Sequence, residues 1–233
     1  MELTHSANSH FYGEFEKYYE RFIEVVASSF SDEFVLSARN EFFALSGQIA
    51  EEDLSYEQRL AWFMEWFIFD YCKDGRVPGR VFLEKCGDLS AVEREIYSNF
   101  MNFNKGLFLI KNNYTEKIAV RELFTKKGMS LFIPVGSMAF RKKEVFQGHI
   151  FPLRENYFVS PCGIFHNISV TKIIINAAEN IKKNNKGRTN EDLLWLLSRL
   201  KLKAERFLKI SPENIYKQEI GDTGGGWLSK ITG

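Results

Sequence analysis

Two carboxylates interrupt the most apolar stretch of the sequence. Glu65 and Asp70 lie in residues 62–71, where nearly all the other side chains are aromatic or aliphatic. A carboxylate is costly to bury unless it is paired or hydrogen-bonded, and burial raises its pKa toward the range that suits general acid or base catalysis. Glu65 and Asp70 are therefore candidate catalytic residues.

The alternative role for these carboxylates is structural, and it is the interpretation we favour. Five residues separate them, so on a helix they point to different sides and do not form one carboxylate pair. Each would then bind an arginine and hold the next segment of the chain against the helices. Three arginines are candidate partners: Arg80, Arg94 and Arg121.

A second group of candidate catalytic residues flanks the predicted strands. His149, Cys162 and His166 include the ligand types of a metal site and the pair needed for a cysteine–histidine nucleophile. Three ligands without a second cysteine nearby do not complete a structural zinc site, and three cysteines in all argue against a disulfide framework. We favour a buried thiol and surface imidazoles, so no metal and no cofactor is predicted.

Clusters of basic residues recur in the second half of the sequence, with aromatic residues between them. Small β-domains that bind RNA or single-stranded DNA combine cationic loops with exposed aromatic rings. The candidate ligand-binding residues are Lys126, Lys127, Arg141, Lys142, Lys143 and Tyr157, and the same pattern includes Phe140, Phe146, Phe158, Lys182, Lys183, Lys186 and Arg188. The alternative is a set of solvated turns, since lysine at hairpin ends discourages pairing between sheet edges.

The net charge of +1 conceals an uneven distribution of charge along the chain. Residues 1–104 carry 9 basic and 19 acidic side chains, whereas residues 105–233 carry 22 basic and 11 acidic ones. This difference indicates either an anionic partner for the second half or electrostatic attraction between the two halves within the fold.

Helices are predicted on both sides of a short β region. Apolar residues recur at helical spacing over residues 12–29 and 34–45, and residues 56–71 are apolar on every side, which predicts a buried central helix. Several helix starts carry a capping box or a proline in the first turn. These are Ser55 with Gln58, Pro78, Ser90 with Glu93, and Thr189 with Asp192.

Residues 105–168 differ from the helical segments because short apolar runs alternate with turns rich in Asn, Gly and Lys. Four to six strands within about 60 residues predict a small antiparallel sheet or a partly open barrel of the SH3 or OB type. The predicted fold class is therefore α+β. It has an N-terminal helical bundle (1–104), a β module (105–168), and C-terminal basic helices with a loose tail (169–233).

The central helix resembles a pattern found in uncharacterised bacterial proteins. In these proteins an F-x-E-W-x-x-F-D-Y helix precedes a helix containing Glu-Arg and then a small β module. The matching residues in this sequence are Phe63, Glu65, Trp66, Phe69, Asp70, Tyr71, Glu93, Arg94 and Gly106. The resemblance covers residues 55–165 and implies no known activity. Some of these proteins carry a zinc-binding Cys/His tail, and no such tail is found here because no cysteine follows Cys162.

The function expected from these patterns is non-enzymatic binding. No P-loop, G-x-G-x-x-G, H-E-x-x-H or G-x-S-x-G motif occurs, and neither a signal peptide nor a membrane span is visible, so we expect a cytoplasmic protein. The expected partner of the basic half is a nucleic acid or an acidic protein.

Two other functions remain open at this point. One is a hydrolase-like enzyme that uses Glu65 and Asp70, or His149 with Cys162 and His166. The other is a protein-interaction scaffold that uses the acidic helical half. An exposed patch of phenylalanines in residues 11–45 would favour the scaffold.

Overall fold

A computed structural model describes residues 3–133, 140–184 and 189–221 of the chain, with the side chains of residues 3–11 and 184 excepted. Two residues of the third predicted basic cluster, Lys186 and Arg188, lie outside this part of the chain, as do the residues after Gly221.

Five helices form in the described residues up to Phe100, where the apolar spacing or the helix-start signals predict them, although α1 begins nine residues before its predicted start. They are α1 (Leu3–Ala27), α2 (Asp32–Ser46), α3 (Tyr56–Phe69), α4 (Pro78–Lys85) and α5 (Ala91–Phe100). At the start of α5, Ser90 and Glu93 form the predicted capping box. Such caps satisfy the backbone N–H groups that the first turn of a helix leaves without partners.

The start of α3 differs from the prediction. The Ser55 side chain makes no cap and instead donates a hydrogen bond to Glu205 at 2.5 Å, while Gln58 donates to the carbonyl oxygen of Gly163 at 2.6 Å. The predicted capping box is wrong because both side chains bind groups more than 100 residues away in sequence.

Helix α3 forms the centre of the helical half. Buried side chains lie all around it, among them Trp62, Phe63, Trp66 and Phe67. The rings of Trp62 and Trp66 lie 4.8 and 5.3 Å from that of Phe42 in α2, measured between centroids. Aromatic pairs at such distances contribute about 0.5–1.5 kcal/mol each beyond their buried area. The apolar surroundings expected for Glu65 and Asp70 are therefore present.

The β module consists of one mixed sheet. Its strands are β1 (Asn104–Asn113), β2 (Lys117–Glu122), β3 (Gly128–Phe132), β4 (Val145–Leu153), β5 (Asn156–Val159) and β6 (Ile164–His166). The strand order is β1-β2-β3-β5-β4-β6, and β1 also pairs with β4, so the sheet is partly ring-shaped but is not a barrel. The β3–β5 pair is parallel, which the prediction of an antiparallel sheet did not include.

The two faces of this sheet bury different sets of apolar residues. Phe108, Ile110 and Val120 face the inside of the ring, where they form a core of their own. Leu107 and Val145 belong to a separate core that is shared with the C-terminal helices. Because successive side chains of a strand point to opposite faces, β1 contributes to both cores.

Three helices follow the sheet: α6 (Thr171–Asn184), α7 (Asn190–Arg206) and α8 (Pro212–Ile220). The predicted capping box of Thr189 with Asp192 opens α7, and Ser211 accepts the N–H of Asn214 at the start of α8. The largest hydrophobic core joins all three predicted regions, since it contains Phe42 of α2, Phe151 of β4 and Trp195 of α7.

The predicted α+β class, with helices before and after a small sheet, is confirmed. Among the helices described, none is both long enough and apolar enough to cross a lipid bilayer.

Candidate functional site

Glu65, Asp70 and His149 meet in the interior of the protein. The Nδ1 atom of His149 lies 2.5 Å from Oε1 of Glu65, and its Nε2 atom lies 2.7 Å from Oδ2 of Asp70. Glu65 lies within α3 and Asp70 directly follows it, while His149 projects from β4. The two carboxylates do point in different directions, but one imidazole binds both of them because its two nitrogens lie on opposite edges of the ring.

Glu65 is the deepest member of this group, with no exposed surface. Its Oε2 atom accepts hydrogen bonds from the hydroxyl groups of Tyr19, at 2.5 Å, and Ser160. The Ser160 hydroxyl in turn accepts the backbone N–H of Cys162, whose thiol lies 3.6 Å from the Tyr19 hydroxyl. These contacts satisfy the carboxylate and tie α1 and α3 to the end of β5.

From Asp70 the charges continue toward the surface. The Lys105 ammonium at the start of β1 lies 3.3 Å from Asp70 and 2.9 Å from Glu191 at the start of α7. The side chains of Glu65, His149, Asp70, Lys105 and Glu191 are 0%, 1%, 11%, 17% and 55% exposed, respectively. We name these five residues the buried charge chain. Their charges alternate in sign and connect α3, β4, β1 and α7.

The pKa values of the chain follow from these contacts. Burial alone lowers the pKa of His149, but the charges of Asp70 and then Glu65 outweigh it and raise the pKa to about 9. Burial alone raises the pKa of Asp70, but His149 and Lys105 bring it below its ordinary value of 3.8. Burial opposes the charge of Lys105 as well, yet Asp70 and Glu191 raise its pKa. At neutral pH His149, Asp70 and Lys105 are therefore charged, with the imidazolium of His149 at the centre of the chain.

This arrangement suits charge pairing better than catalysis. Both ring nitrogens of His149 are bound to carboxylates, so neither is free to exchange a proton with a substrate. Burial, followed by the charge of Glu65, raises the pKa of the Cys162 thiol, which keeps it protonated and a poor nucleophile. His149 and Cys162 therefore present neither a general base nor a thiolate to solvent.

His166 lies apart from the other candidate catalytic residues. It is fully buried rather than at the surface, and its Nδ1 atom is 2.8 Å from the hydroxyl of Tyr216 in α8. Burial, followed by the charges of Lys201 and Arg59, lowers its pKa to about 3, so this histidine is neutral. The proposed grouping of His149, Cys162 and His166 is thus only partly correct, since β6 directs His166 toward α8.

The arginines expected to pair with Glu65 and Asp70 have other partners. Arg80 donates to the carbonyl oxygen of Met101, and Arg94 donates to those of Leu83 and Cys86. These bonds tie α4 to α5, while Arg121 is exposed on β2. The predicted partners are wrong, but the predicted role is supported, because the carboxylates join the helices to the sheet through a histidine and a lysine.

Four residues around the two carboxylates were missed by the sequence analysis. They are Tyr19, Lys105, Ser160 and Glu191. One sequence signal could have identified Lys105 as a partner of a buried carboxylate: it is a cation that directly precedes strand residues 106–108, which are buried. Within the described residues, no group of three or more His, Cys, Asp or Glu side chains is arranged to hold a metal ion.

The candidate ligand-binding residues divide into two places. Arg141, Lys142 and Lys143 form an exposed turn whose Lys143 N–H donates to the carbonyl oxygen of Ile110, toward the C-terminal end of β1. Lys126 and Lys127 lie in the turn after β2, at the opposite end of the antiparallel β1–β2 pair. Lys127 shares a surface cleft with Tyr157, which is 40% exposed.

The predicted interleaving of basic and aromatic residues at the surface is largely wrong. Phe140, Phe146 and Phe158 are at most 3% exposed, because they fill the interior of the sheet and the core beneath it. Tyr157 is the remaining aromatic residue of that pattern, and Tyr114 in the β1–β2 turn, 58% exposed, was not part of it.

Exposed and half-buried cations of the second half lie alongside α6. The carbonyl oxygen of Lys143 accepts a hydrogen bond from Thr171, the first residue of α6, so the 141–143 turn adjoins that helix. Farther along α6, Glu179 pairs with Lys126 at 2.9 Å and also lies in the fields of Lys183 and Arg121. We name this surface the basic face; it consists of Lys111, Arg121, Lys126, Arg141, Lys142, Lys143, Lys172 and Lys183.

Some of the opposite charges on the two halves neutralise each other in ion pairs within the fold. Arg154 pairs with Glu14 at 2.6 Å, and Arg206 pairs with Asp53 at 2.7 Å. Together with the buried charge chain, these pairs join cations of residues 105–233 to carboxylates of residues 1–104. Ion pairs between the two halves therefore exist, and among the described residues none of them involves a cation of the basic face.

The raised pKa of His149 predicts that alkali weakens the fold. Because the folded-state pKa of about 9 exceeds the ordinary value of 6.5, His149 contributes its full stabilisation below pH 6.5 and loses it as the pH rises through 9. We expect the free energy of unfolding to fall by about 3 kcal/mol between pH 6 and pH 9.5. Urea unfolding at pH intervals of half a unit measures this, and constant stability over that range would contradict it.

One family model matches this chain, and no curated protein and no solved structure does. The model is described as a family of unknown function (DUF7986), and its match spans residues 24–195. That range includes all five residues of the buried charge chain and all eight of the basic face. Because the match extends over nearly three quarters of the sequence, the chain belongs to this family, DUF7986.

Proposed function

We propose that this protein is a binding module that holds a single-stranded nucleic acid, RNA or DNA, on its basic face. The observation that carries the proposal is the number of exposed cations there without a carboxylate partner. Of the eight basic residues of this face, only Lys126 forms an ion pair among the described residues. Unpaired cations on one surface are the electrostatic footprint of nucleic-acid binding.

The shape of the basic face supports an extended ligand. The face runs alongside α6, whose 14 residues span about 21 Å at 1.5 Å per residue. Lys172 lies near one end of this helix and Lys183 near the other. A strand lying along α6 would therefore bring several successive phosphates close to lysine and arginine side chains.

Binding through this face is expected to be mainly electrostatic and tolerant of sequence. Three of the four aromatic rings predicted to stack on bases are buried, so phosphate contacts dominate on the face itself. Such binding weakens steeply with salt, because each phosphate contact releases counterions.

The scaffold alternative has no comparable support. Phe15, Phe22, Phe42 and Phe43 are at most 4% exposed, and Phe30 and Phe34 are half-buried, so these phenylalanines do not form the exposed patch that would favour it.

Neutralising the turn at the end of the basic face tests the proposal. We expect Arg141→Gln, Lys142→Gln and Lys143→Gln in one variant to weaken binding of a labelled single-stranded RNA or DNA about tenfold or more at low salt. The slope of log K against log salt concentration should become shallower by about 2, since each lost phosphate contact removes roughly 0.7. Fluorescence anisotropy at several salt concentrations measures both quantities.

A matched control removes the same charge from elsewhere on the surface. Lys17, Arg76 and Lys85 are exposed cations of the helical half. Changing all three to Gln lowers the net charge equally and is expected to leave affinity within about twofold. Equal losses in the two variants, or no binding by the unaltered protein at low salt, would refute the proposal.

A further inference from the structure

A cleft of about 540 Å³ opens at one end of the partly ring-shaped sheet. It lies where β1 and β3 begin and β2 ends, and the first residue of α7 completes its wall. Its volume falls within the range of roughly 300–1,000 Å³ that is usual for small-molecule sites.

The cleft holds polar groups that the fold does not use. The side-chain amides of Asn104 and Asn190 are exposed and form no hydrogen bond with any other described residue, and the Lys127 ammonium has no carboxylate partner there. The carboxylate of Glu122 also lines the cleft, but its oxygens accept the backbone N–H groups of Phe124 and Thr125. Lys105 lines the cleft as well, but Asp70 and Glu191 bind its ammonium, so the groups left for a ligand are two amides and the Lys127 cation.

Aromatic side chains supply the rest of the lining. Tyr157 is 40% exposed, and Phe103 and Phe124 are half-buried. Aromatic rings stack on planar heterocycles, amides bind the donor and acceptor edges of bases, and lysine binds phosphate. The combination matches the three parts of a nucleotide better than it matches a purely apolar or purely anionic ligand.

We propose that this cleft binds one nucleotide, with its base among Tyr157, Phe103 and Phe124, its base edge on Asn104 and Asn190, and its phosphate on Lys127. The cleft adjoins the basic face, because Lys127 follows Lys126, which pairs with Glu179 of α6. If the nucleotide is part of a bound strand, the inference rests on the proposed function. A free nucleotide would offer the cleft the same base and phosphate groups.

The test compares adenosine monophosphate with ribose 5-phosphate by isothermal titration calorimetry on the full chain. Adenosine monophosphate should bind at least about tenfold more tightly, because stacking on an aromatic side chain accounts for roughly that factor per base. The variants Tyr157→Ala and Lys127→Gln should each weaken binding of adenosine monophosphate about tenfold. Tyr157→Ala should leave binding of ribose 5-phosphate unchanged, whereas Lys127→Gln should weaken it as well.

Two control variants alter the same residue types outside the cleft. Tyr114 is 58% exposed in the β1–β2 turn and Lys85 is exposed at the end of α4, and neither lines the cleft or belongs to the basic face. Tyr114→Ala and Lys85→Gln should leave the affinity for adenosine monophosphate unaltered. Equal affinities for adenosine monophosphate and ribose 5-phosphate, or indifference to Tyr157→Ala and Lys127→Gln, would overturn the inference.

Further titrations separate this site from the proposed function. The variant with Arg141, Lys142 and Lys143 changed to Gln should lose oligonucleotide affinity while it keeps the affinity for adenosine monophosphate. If Tyr157→Ala weakens single-stranded RNA binding as well, the nucleotide in the cleft belongs to the strand. If it weakens only adenosine monophosphate, the ligand is a free nucleotide. If the protein binds oligonucleotides but not adenosine monophosphate, the proposed nucleotide site in the cleft is refuted, whereas the proposed function of the basic face is not.

Discussion

The substitution His149→Gln is expected to lower the free energy of unfolding by about 3–5 kcal/mol at pH 7. Glutamine keeps much of the volume of histidine but carries no charge. The carboxylate of Glu65, which has no exposed surface, would then lose its imidazolium partner, and Asp70 would keep Lys105. Removing one partner from a buried ion pair costs this much because the remaining charge can neither reach water nor find another cation.

The other buried histidine provides a matched control. His166 is also fully buried, but it is neutral; among the described residues its Nδ1 atom bonds to Tyr216 and its Nε2 atom has no hydrogen-bond partner. His166→Gln is expected to cost about 1–2 kcal/mol, the usual loss for a neutral buried hydrogen bond. Urea unfolding of both variants measures the difference. Equal losses would mean that the imidazolium charge of His149 does not stabilise the fold.

A double-mutant cycle assigns the loss to the carboxylates. Combining His149→Gln with Glu65→Gln removes the uncompensated charge, so the double variant should lose clearly less stability than the sum of the two single losses. The decline in stability between pH 6 and pH 9.5 should be absent from the His149→Gln single variant, because that variant lacks the titrating imidazole.

The helices were predictable from the sequence because their signals are local. The capping boxes at Ser90 with Glu93 and at Thr189 with Asp192 each involve residues three positions apart, and both form as predicted. The apolar surroundings of α3 were predictable for the same reason, since spacing along a helix determines which face a residue occupies. The Ser55 capping box failed where contacts distant in sequence replaced the local ones.

The convergence of the site was not predictable from local patterns. His149 is 84 residues from Glu65 and 79 from Asp70 in sequence, and only the pairing of β4 with β1 and the packing of α3 bring them together. The residue types did indicate that buried carboxylates need partners, but spacing suggested arginine rather than histidine. The parallel contact between β3 and β5 has the same origin, because it depends on the curvature of the whole sheet.

The charge difference between the halves has two physical origins that sequence alone could not separate. Lys105, Arg154 and Arg206 neutralise acidic residues of the helical half, whereas Arg141, Lys142 and Lys143 have no carboxylate partner among the described residues. Attraction between the two halves therefore accounts for the first set of cations, whereas an anionic partner is our proposal for the second set. We therefore expect a polyanion to bind at Arg141, Lys142 and Lys143 and not at the cations that neutralise the helical half.

The substitution Arg59→Met is expected to cost about 3–5 kcal/mol at pH 7. The Arg59 side chain is 2% exposed. Its guanidinium donates to the Ser55 hydroxyl at 3.0 Å, to the Ser198 hydroxyl and carbonyl oxygen at 3.2 and 3.0 Å, and to the Ser46 carbonyl oxygen at 3.5 Å. These bonds join α3 to the end of α2 and to α7. Methionine fills a similar volume but supplies none of these buried donors, and it removes the attraction between the guanidinium and nearby Glu205, which keeps Lys201 as its ion-pair partner.

Arg94→Met is the matched control, since Arg94 also donates to two carbonyl oxygens but lies at the surface. Water replaces the guanidinium there, so the expected loss is below about 1 kcal/mol. Urea denaturation with tryptophan fluorescence measures both variants, and Trp195 of α7 lies in the core that Arg59 helps to close. If Arg59→Met and Arg94→Met lose the same stability, burial does not amplify the loss, and aromatic packing of α3 against α2 and α7 must hold these helices without the guanidinium.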